Sequence, residues 1–282
     1  MTESGTPGPQ GPSDASPASA GAPAENTRSG ESGDAGSATS GSASTPASGA
    51  GDAGSASVPS TGSGAGADAA ELRFGAGLAD VPTSWEVSSS ETVHATGRVI
   101  SVRRDQVVPP AGGEPFTRDV VVHPGAVGVV ALDENHRMLL VRQYRHPVGY
   151  RLLEPPAGLL DVQGEAYRLG AERELWEEAA TKAADWRILV DAFTSPGLTT
   201  EAVRIFLARD LSPAEDVYDR LHEEADMETV WAPLEDVVKA ALAGDLHNPI
   251  LVMGSLAAWA ALNGEGFDAL RPADSPWPAK DR

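Results

Sequence analysis

The sequence has no cysteine, so disulfides, cysteine-ligated zinc and thiol catalysis are excluded at the outset. Basic residues are short as well: 21 Lys and Arg stand against 41 Asp and Glu, a formal charge of −20. A surface this acidic repels phosphate backbones and anionic lipid, so neither nucleic acid nor a membrane is an expected partner. It still admits a small phosphorylated ligand where metal cations and a few local arginines neutralise it. Long hydrophobic runs are missing too. The most apolar stretch, residues 249–262, falls short of the roughly 20 residues a membrane span requires and reads as a buried helix. No basic start leads into an apolar segment of signal-peptide type, and a cytoplasmic location is expected.

Residues 1–70 contain no aromatic side chain, and their one large branched aliphatic is Val58. Gly, Ser, Ala, Pro and Thr fill 58 of those 70 positions. This composition buries too little apolar surface to offset an ordering entropy of roughly 1–2 kcal/mol per residue, so a disordered extension is expected. The remaining 212 residues suffice for one substantial core. Within them, β-branched runs bounded by turn residues predict strands over 84–87, 97–103, 116–122, 126–132, 137–144, 187–190 and 202–208. Helices fit 165–180, 234–243 and 249–262. The expected class is α/β (α+β), a mixed sheet with helices on its faces preceded by a small antiparallel β portion. The organisation reads as an extension over 1–70, a β portion over 71–118, a main domain over 119–270 and a tail over 271–282.

One segment carries chemistry. Gly158 opens a loop that closes on Gly164-Glu165; seven residues later comes Arg173-Glu174-Leu175-Trp176-Glu177-Glu178. On a helix, Glu174 and Glu178 share a face with Glu177 beside them, while Ala171 and Leu175 form an apolar edge suited to a sheet. Like charges at this spacing destabilise a helix by about 0.2–0.5 kcal/mol per pair, so three clustered carboxylates suggest an external cation. Oxygen ligands of this kind suit Mg²⁺ or Mn²⁺. Charge alone favours a solvated acidic face; the whole spacing, with its Gly-rich approach and embedded arginine, points the other way.

That spacing resembles the Nudix hydrolase signature over residues 158–181, with three departures. Six residues rather than five separate Gly158 from Glu165, as if Gln163 were inserted, a form similar to actinobacterial members. Ala180 stands for the motif glycine and Thr181 for an aliphatic. If position 180 needs a positive φ, alanine costs about 1 kcal/mol or more relative to glycine. The flanking segments look like the ADP-ribose pyrophosphatase branch: His123-Pro124-Gly125-Ala126-Val127, Arg142-Gln143-Tyr144-Arg145-His146-Pro147, Glu154-Pro155-Pro156-Ala157-Gly158, Pro196, and His222-Glu223-Glu224-Ala225-Asp226-Met227.

The resemblance implies an α/β/α sandwich in which Glu174, Glu177, Glu178 and the Ala157 carbonyl hold divalent metal, Mg²⁺ or Mn²⁺. It implies that Gly158, Glu165 and Arg173 organise the loop–helix unit. Glu223 is the first choice for the catalytic base and Glu224 the second. Arg145 is expected to neutralise a diphosphate, or to pair with a nearby acid. Glu201 is expected at the terminal ribose, or in an idle loop. The resemblance further implies a homodimer, with Trp85, Val87, Val99, Ile100 and Val102 as an apolar face and Arg104 reaching the partner's ligand. His123, His146 and His222 lack metal-ligand spacing, and Trp231 reads as core. The expected reaction is hydrolysis of ADP-ribose to AMP and ribose 5-phosphate. Another nucleoside diphosphate sugar, a dinucleotide such as FAD, and a non-catalytic ADP-ribose sensor remain the alternatives; metal-dependent turnover separates the last from the rest.

Overall fold

The apolar run at 126–131 forms strand β4 (Ala126–Ala131), buried at all six positions. Successive strand residues point to opposite faces, so burial throughout requires cover on both sides. Val127, Val129 and Ala131 join one core with Ala171 and Leu175 of helix α1 (Tyr167–Ala179). Val130 and Leu132 join the other with Leu251 and Ala258 of helix α3 (Pro249–Leu262). Strand β9 (Ala202–Pro213) divides in the same way, Phe206 and Ala208 on one side and Ile205 and Leu207 on the other. The result is the expected α/β/α layering. This computed structural model describes residues 78–95, 99–216 and 227–281, which belong to one compact unit spanning 73–282. The extension expected over 1–70 lies outside the described residues.

The central sheet has the order β11-β8-β9-β4-β7, where β7 is Ala157–Leu159, β8 is Thr181–Phe193 and β11 is Arg271–Pro272. It is mixed: β4 and β9 run parallel, and the other pairs are antiparallel. A second sheet sets β5 (Arg137–Arg145) between β6 (Tyr150–Glu154) and β10 (Glu228–Pro233). A third is built from β1 (Glu86–His94), β2 (Ser101–Val108) and β3 (Phe116–Val122), so it runs past the boundary expected at 118. Helix α2 (Leu234–Ala243) and α3 have the expected limits. Their ends are chemically marked: Asn248 accepts the Leu251 amide at 2.9 Å, Pro249 follows it, and α2 stops at left-handed Gly244. Among the described residues no helix is long and apolar enough to cross a membrane.

Several local expectations change. Strands β8 and β9 extend to 13 and 12 residues, because each is the other's partner well beyond its apolar portion. Their far end carries an Arg209–Asp185 ion pair at 2.5 Å. Trp231 is not core: it is 41% exposed on β10, with the Arg137 guanidinium 5.7 Å from its ring. Nor is the segment from 271 onward a free tail. Trp277 is 2% exposed, and the equally buried Arg204 donates to Asp191 and to the carbonyls of Ser275 and Pro276, 4.7 Å from the Trp277 ring. The Tyr167 hydroxyl closes the strap on Asp281; burial, reinforced by that bond, pushes the phenol up to about 12.

The β1–β3 sheet is differently placed. All nine β1 residues are exposed, as are Trp85, Val87, Val99 and Ile100. Among the described residues it is tied to the 198–200 loop around Val121, which bridges Thr199, donates to the Leu198 carbonyl at 2.9 Å and accepts from the Thr200 amide at 3.0 Å. The β1–β2 register shifts twice, between Val87 and Ser89 and between Thr92 and His94.

Helix α1 ends on Ala180 at φ 47°, ψ 39°, its amide reaching the Leu175 and Trp176 carbonyls. This is the left-handed cap that glycine adopts freely and that costs an L side chain roughly 1–2 kcal/mol. Glycine's larger unfolded-state entropy returns about 0.4–1 kcal/mol of that. Ala180→Gly is therefore expected to stabilise the protein by about 0.5–1 kcal/mol, seen in chemical denaturation as a higher midpoint at unchanged slope. A lower midpoint would sink this account of the cap.

Candidate active site

Ala171 and Leu175 are fully buried against the sheet, which fixes the rotation of α1. Residues one turn apart share a face, so the acidic positions come together at the mouth of β7. Glu174, Glu177 and Glu178 line a cavity of about 310 Å³ with Arg173, Asp161, Ala157 and Gly158, and β5 contributes Gln143 and Arg145 to the same space. Glu178 is anchored by the Ala157 amide, which donates to its Oε2 at 2.9 Å. Glu174 lies directly over Gly158: a Cβ at 158 would stand 2.0 Å from its Cδ and Oε1. Glycine is there because any side chain would expel that carboxylate.

Arg173 is the hub. Its Nη1 donates to Glu174 at 2.6 Å and to Glu177 at 3.3 Å, while Nε and Nη2 reach Glu165, both at 3.3 Å. Burial works against the guanidinium charge, but the Glu165 hydrogen bond and the charges of Glu174, Glu165 and Glu177 outweigh it and raise its pKa. Helix α1 starts at Tyr167, leaving Glu165 in the loop where it can meet Arg173 from outside the helix.

Arg145, on β5, is held by Glu154 of β6, with Nε and Nη2 at 2.9 and 2.5 Å. The pairing with an acid expected as the alternative for this arginine is present, and the side chain also borders the carboxylate cavity. Glu201 lies elsewhere, hydrogen-bonded by Thr194 and 3.7 Å from His123. Arg104 is on the β1–β3 sheet, donating twice to Asp119 at 2.7 and 3.0 Å. It does not line the cavity. Glu223 and Glu224 lie outside the described residues.

Two side chains at the site were not singled out by sequence. Glu154 is 1% exposed; the β5–β6 register sets it opposite Val141, on the same face as Arg145, whose long side chain reaches back along the strand to it. Gln143 lies two residues before Arg145 and so shares its face of β5. That alternation from Arg145 was the available signal.

Glu165, Glu174 and Glu177 share the Arg173 guanidinium while Glu178 takes the Ala157 amide, a surplus of negative charge in a partly buried space. At an effective dielectric of about 20, two such charges 4 Å apart repel by roughly 4 kcal/mol. An oxygen-only donor set with that surplus fits a hard divalent cation in kind and in charge. The present rotamers gather on Arg173 instead: among the described residues no three Asp, Glu, His or Cys side chains converge on a point at metal-binding geometry.

Comparison with known proteins agrees with this geometry. The NUDIX domain model matches residues 122–251. The chain is 46% identical over 193 residues to an ADP-ribose pyrophosphatase of Mycobacterium tuberculosis, covering 68% of this chain and 91% of that protein. It is 34% identical over 153 residues to an ADP-ribose pyrophosphatase of Bacillus subtilis, covering 54% and 81%. A crystal structure of an ADP compounds hydrolase superposes with a TM-score of 0.55 at 23% identity, over 67% of this chain and 99% of that one, and supports the fold alone.

The close approach at position 158 has a measurable consequence. Gly158→Ala is expected to cost about 1–3 kcal/mol through overpacking against Glu174. Because a side chain is what obstructs the new methyl, the same change made in a Glu174→Ala background should cost far less. Equal penalties in the two backgrounds, measured by denaturant unfolding, would place the obstruction elsewhere.

Proposed function

The chain belongs to the Nudix family, and on that premise we propose that it hydrolyses the diphosphate bond of ADP-ribose, giving AMP and ribose 5-phosphate. The observation that carries this reading is the cavity in which three carboxylates of one helix face an arginine on a neighbouring strand. The relatives named as ADP-ribose pyrophosphatases, one matched over 91% of its length, support the choice of substrate.

Glu174, Glu177 and Glu178, with the Ala157 carbonyl, would hold the divalent cation, Mg²⁺ or Mn²⁺. When bound, such a cation neutralises diphosphate oxygens and lowers the pKa of water. Arg145 supplies fixed positive charge at the cavity edge, and Glu154 keeps its guanidinium aimed by two hydrogen bonds. Arg173 keeps Glu174 and Glu177 from repelling each other out of position. Water adds to one phosphorus, the bridging oxygen leaves with the other phosphate, and Glu223, with Glu224 as the second choice, takes the proton. A positioned base is worth typically 10²–10⁴-fold.

A panel of ADP-ribose, other nucleoside diphosphate sugars, FAD and diadenosine diphosphate, assayed with Mg²⁺ and with Mn²⁺, tests the reading. ADP-ribose is expected to have the highest kcat/KM, with AMP and ribose 5-phosphate as the products. Glu178→Gln is expected to lose at least about tenfold in turnover while keeping its fold. Better turnover of FAD would redirect the substrate assignment, and binding of ADP-ribose without turnover would indicate a sensor.

The assembly is proposed to be a homodimer in which the β1–β3 sheet is covered by a second copy. A three-stranded sheet needs a surface to pack against, and Trp85, Val87, Val99 and Ile100 are exposed on this one. Light scattering behind size exclusion is expected to give twice the chain mass of 29.1 kDa. A monomeric mass at micromolar concentration with full activity would end the dimer proposal.

A further inference from the structure

The site holds one polar atom that no described residue satisfies. Gln143 is 7% exposed, and among the described residues its Oε1 is the one buried side-chain nitrogen or oxygen without a hydrogen-bond partner. It lines the cavity of Glu174, Glu177 and Glu178. Burying a carboxamide oxygen unpaired forfeits its hydration, and native proteins seldom leave such an atom without a water, ion or ligand to meet it. Its neighbours on the strand, Arg142 and Tyr144, are exposed, so the alternation of β5 places Gln143 inward with Arg145. Carboxylates accept hydrogen bonds and cannot donate one to it. Among the described residues Oε1 meets no donor, and one brought in from outside the chain would answer it.

A hard cation held by a few carboxylates keeps part of its water shell, and those waters are strong donors. We propose that the Gln143 carboxamide oxygen accepts a hydrogen bond from a water ligand of the divalent cation in the carboxylate cavity and thereby fixes that water's orientation. Gln143 is a positioning residue: neutral at every working pH, it can orient water but cannot serve as its base. The inference rests on the reading that this cavity takes a divalent cation.

The test uses the full chain and Mn²⁺ alone, with affinity read from the electron paramagnetic resonance of free ion and Tm read with and without metal. Gln143→Met keeps the volume and removes the acceptor. It is expected to weaken Mn²⁺ binding by about 10- to 100-fold, the usual effect of losing a partner to a metal's ligands. Without metal it is expected to raise Tm, because the unpaired buried oxygen is gone. Gln143→Glu keeps an acceptor and is expected to retain wild-type affinity or better it. A merely structural glutamine would show the reverse, a lower metal-free Tm with Mn²⁺ binding intact.

A folded Gln143→Met protein with wild-type Mn²⁺ affinity overturns the proposal while leaving the cation site standing. So does a Gln143→Glu protein that loses as much affinity as the methionine variant, since the amide would then act as a donor. Gln143→Leu provides a second acceptor-free variant, and failure of both apolar variants to fold would assign Gln143 to the scaffold and overturn the proposal as well. If the wild-type chain itself binds no Mn²⁺, the cation reading fails first and carries this inference with it.

Discussion

The arrangement at the head of α1 depends on one guanidinium shared among acids from two parts of the chain. Arg173 takes Glu174 and Glu177 from its own helix and Glu165 from the loop before it. Without that charge, three carboxylates on adjoining turns would repel one another, and the loop would lose its hold on the helix. The steric fit follows from it. Glu174, drawn in by Arg173, lies where a side chain at 158 would otherwise be, so the glycine before the loop and the acid in the helix imply each other. A family motif that looks like a string of separate requirements is here one electrostatic knot with a gap left for it in the neighbouring strand.

The sheet presents the knot at a defined edge. β4 is apolar on both faces and is sandwiched by α1 on one side and α3 on the other, so neither helix can rotate without exposing a core residue. With Ala171 and Leu175 turned inward, the remaining turn of the helix has nowhere to put its acids except over β7 and beside β5. The precision of a site spread over a helix, a loop and two strands is thus inherited from hydrophobic packing.

Much of this could be read from the residues because local chemistry marks it. Asn248-Pro249 and Gly244 announce helix ends, and the acid and arginine spacing in α1 is a helical-face pattern that needs no tertiary information. What could not be read depends on partners distant in sequence. Strands β8 and β9 are as long as their mutual pairing, which composition does not record. The ties from Arg204 to residues 275 and 276 cross more than seventy positions, so the final segment looked like a tail. Arg145 was legible as a charge, but its aim is set by the register of a hairpin. Gln143 carries no charge and repeats no motif; its significance arises only from being buried where none of the described residues answers it.

The two register shifts along β1 bear on how readily the outer margin of this sheet can take on another strand. A straight outer strand with nine exposed residues is a template for adding further strands without limit, the geometry that leads to fibrils. Each irregularity between β1 and β2 bends that margin and breaks the even ladder another strand would need. Glu86 and Glu91 add like charges to any copy that tries to dock edge to edge in register. A margin bent and charged in this way disfavours open-ended strand addition, whatever the broad side of the sheet meets.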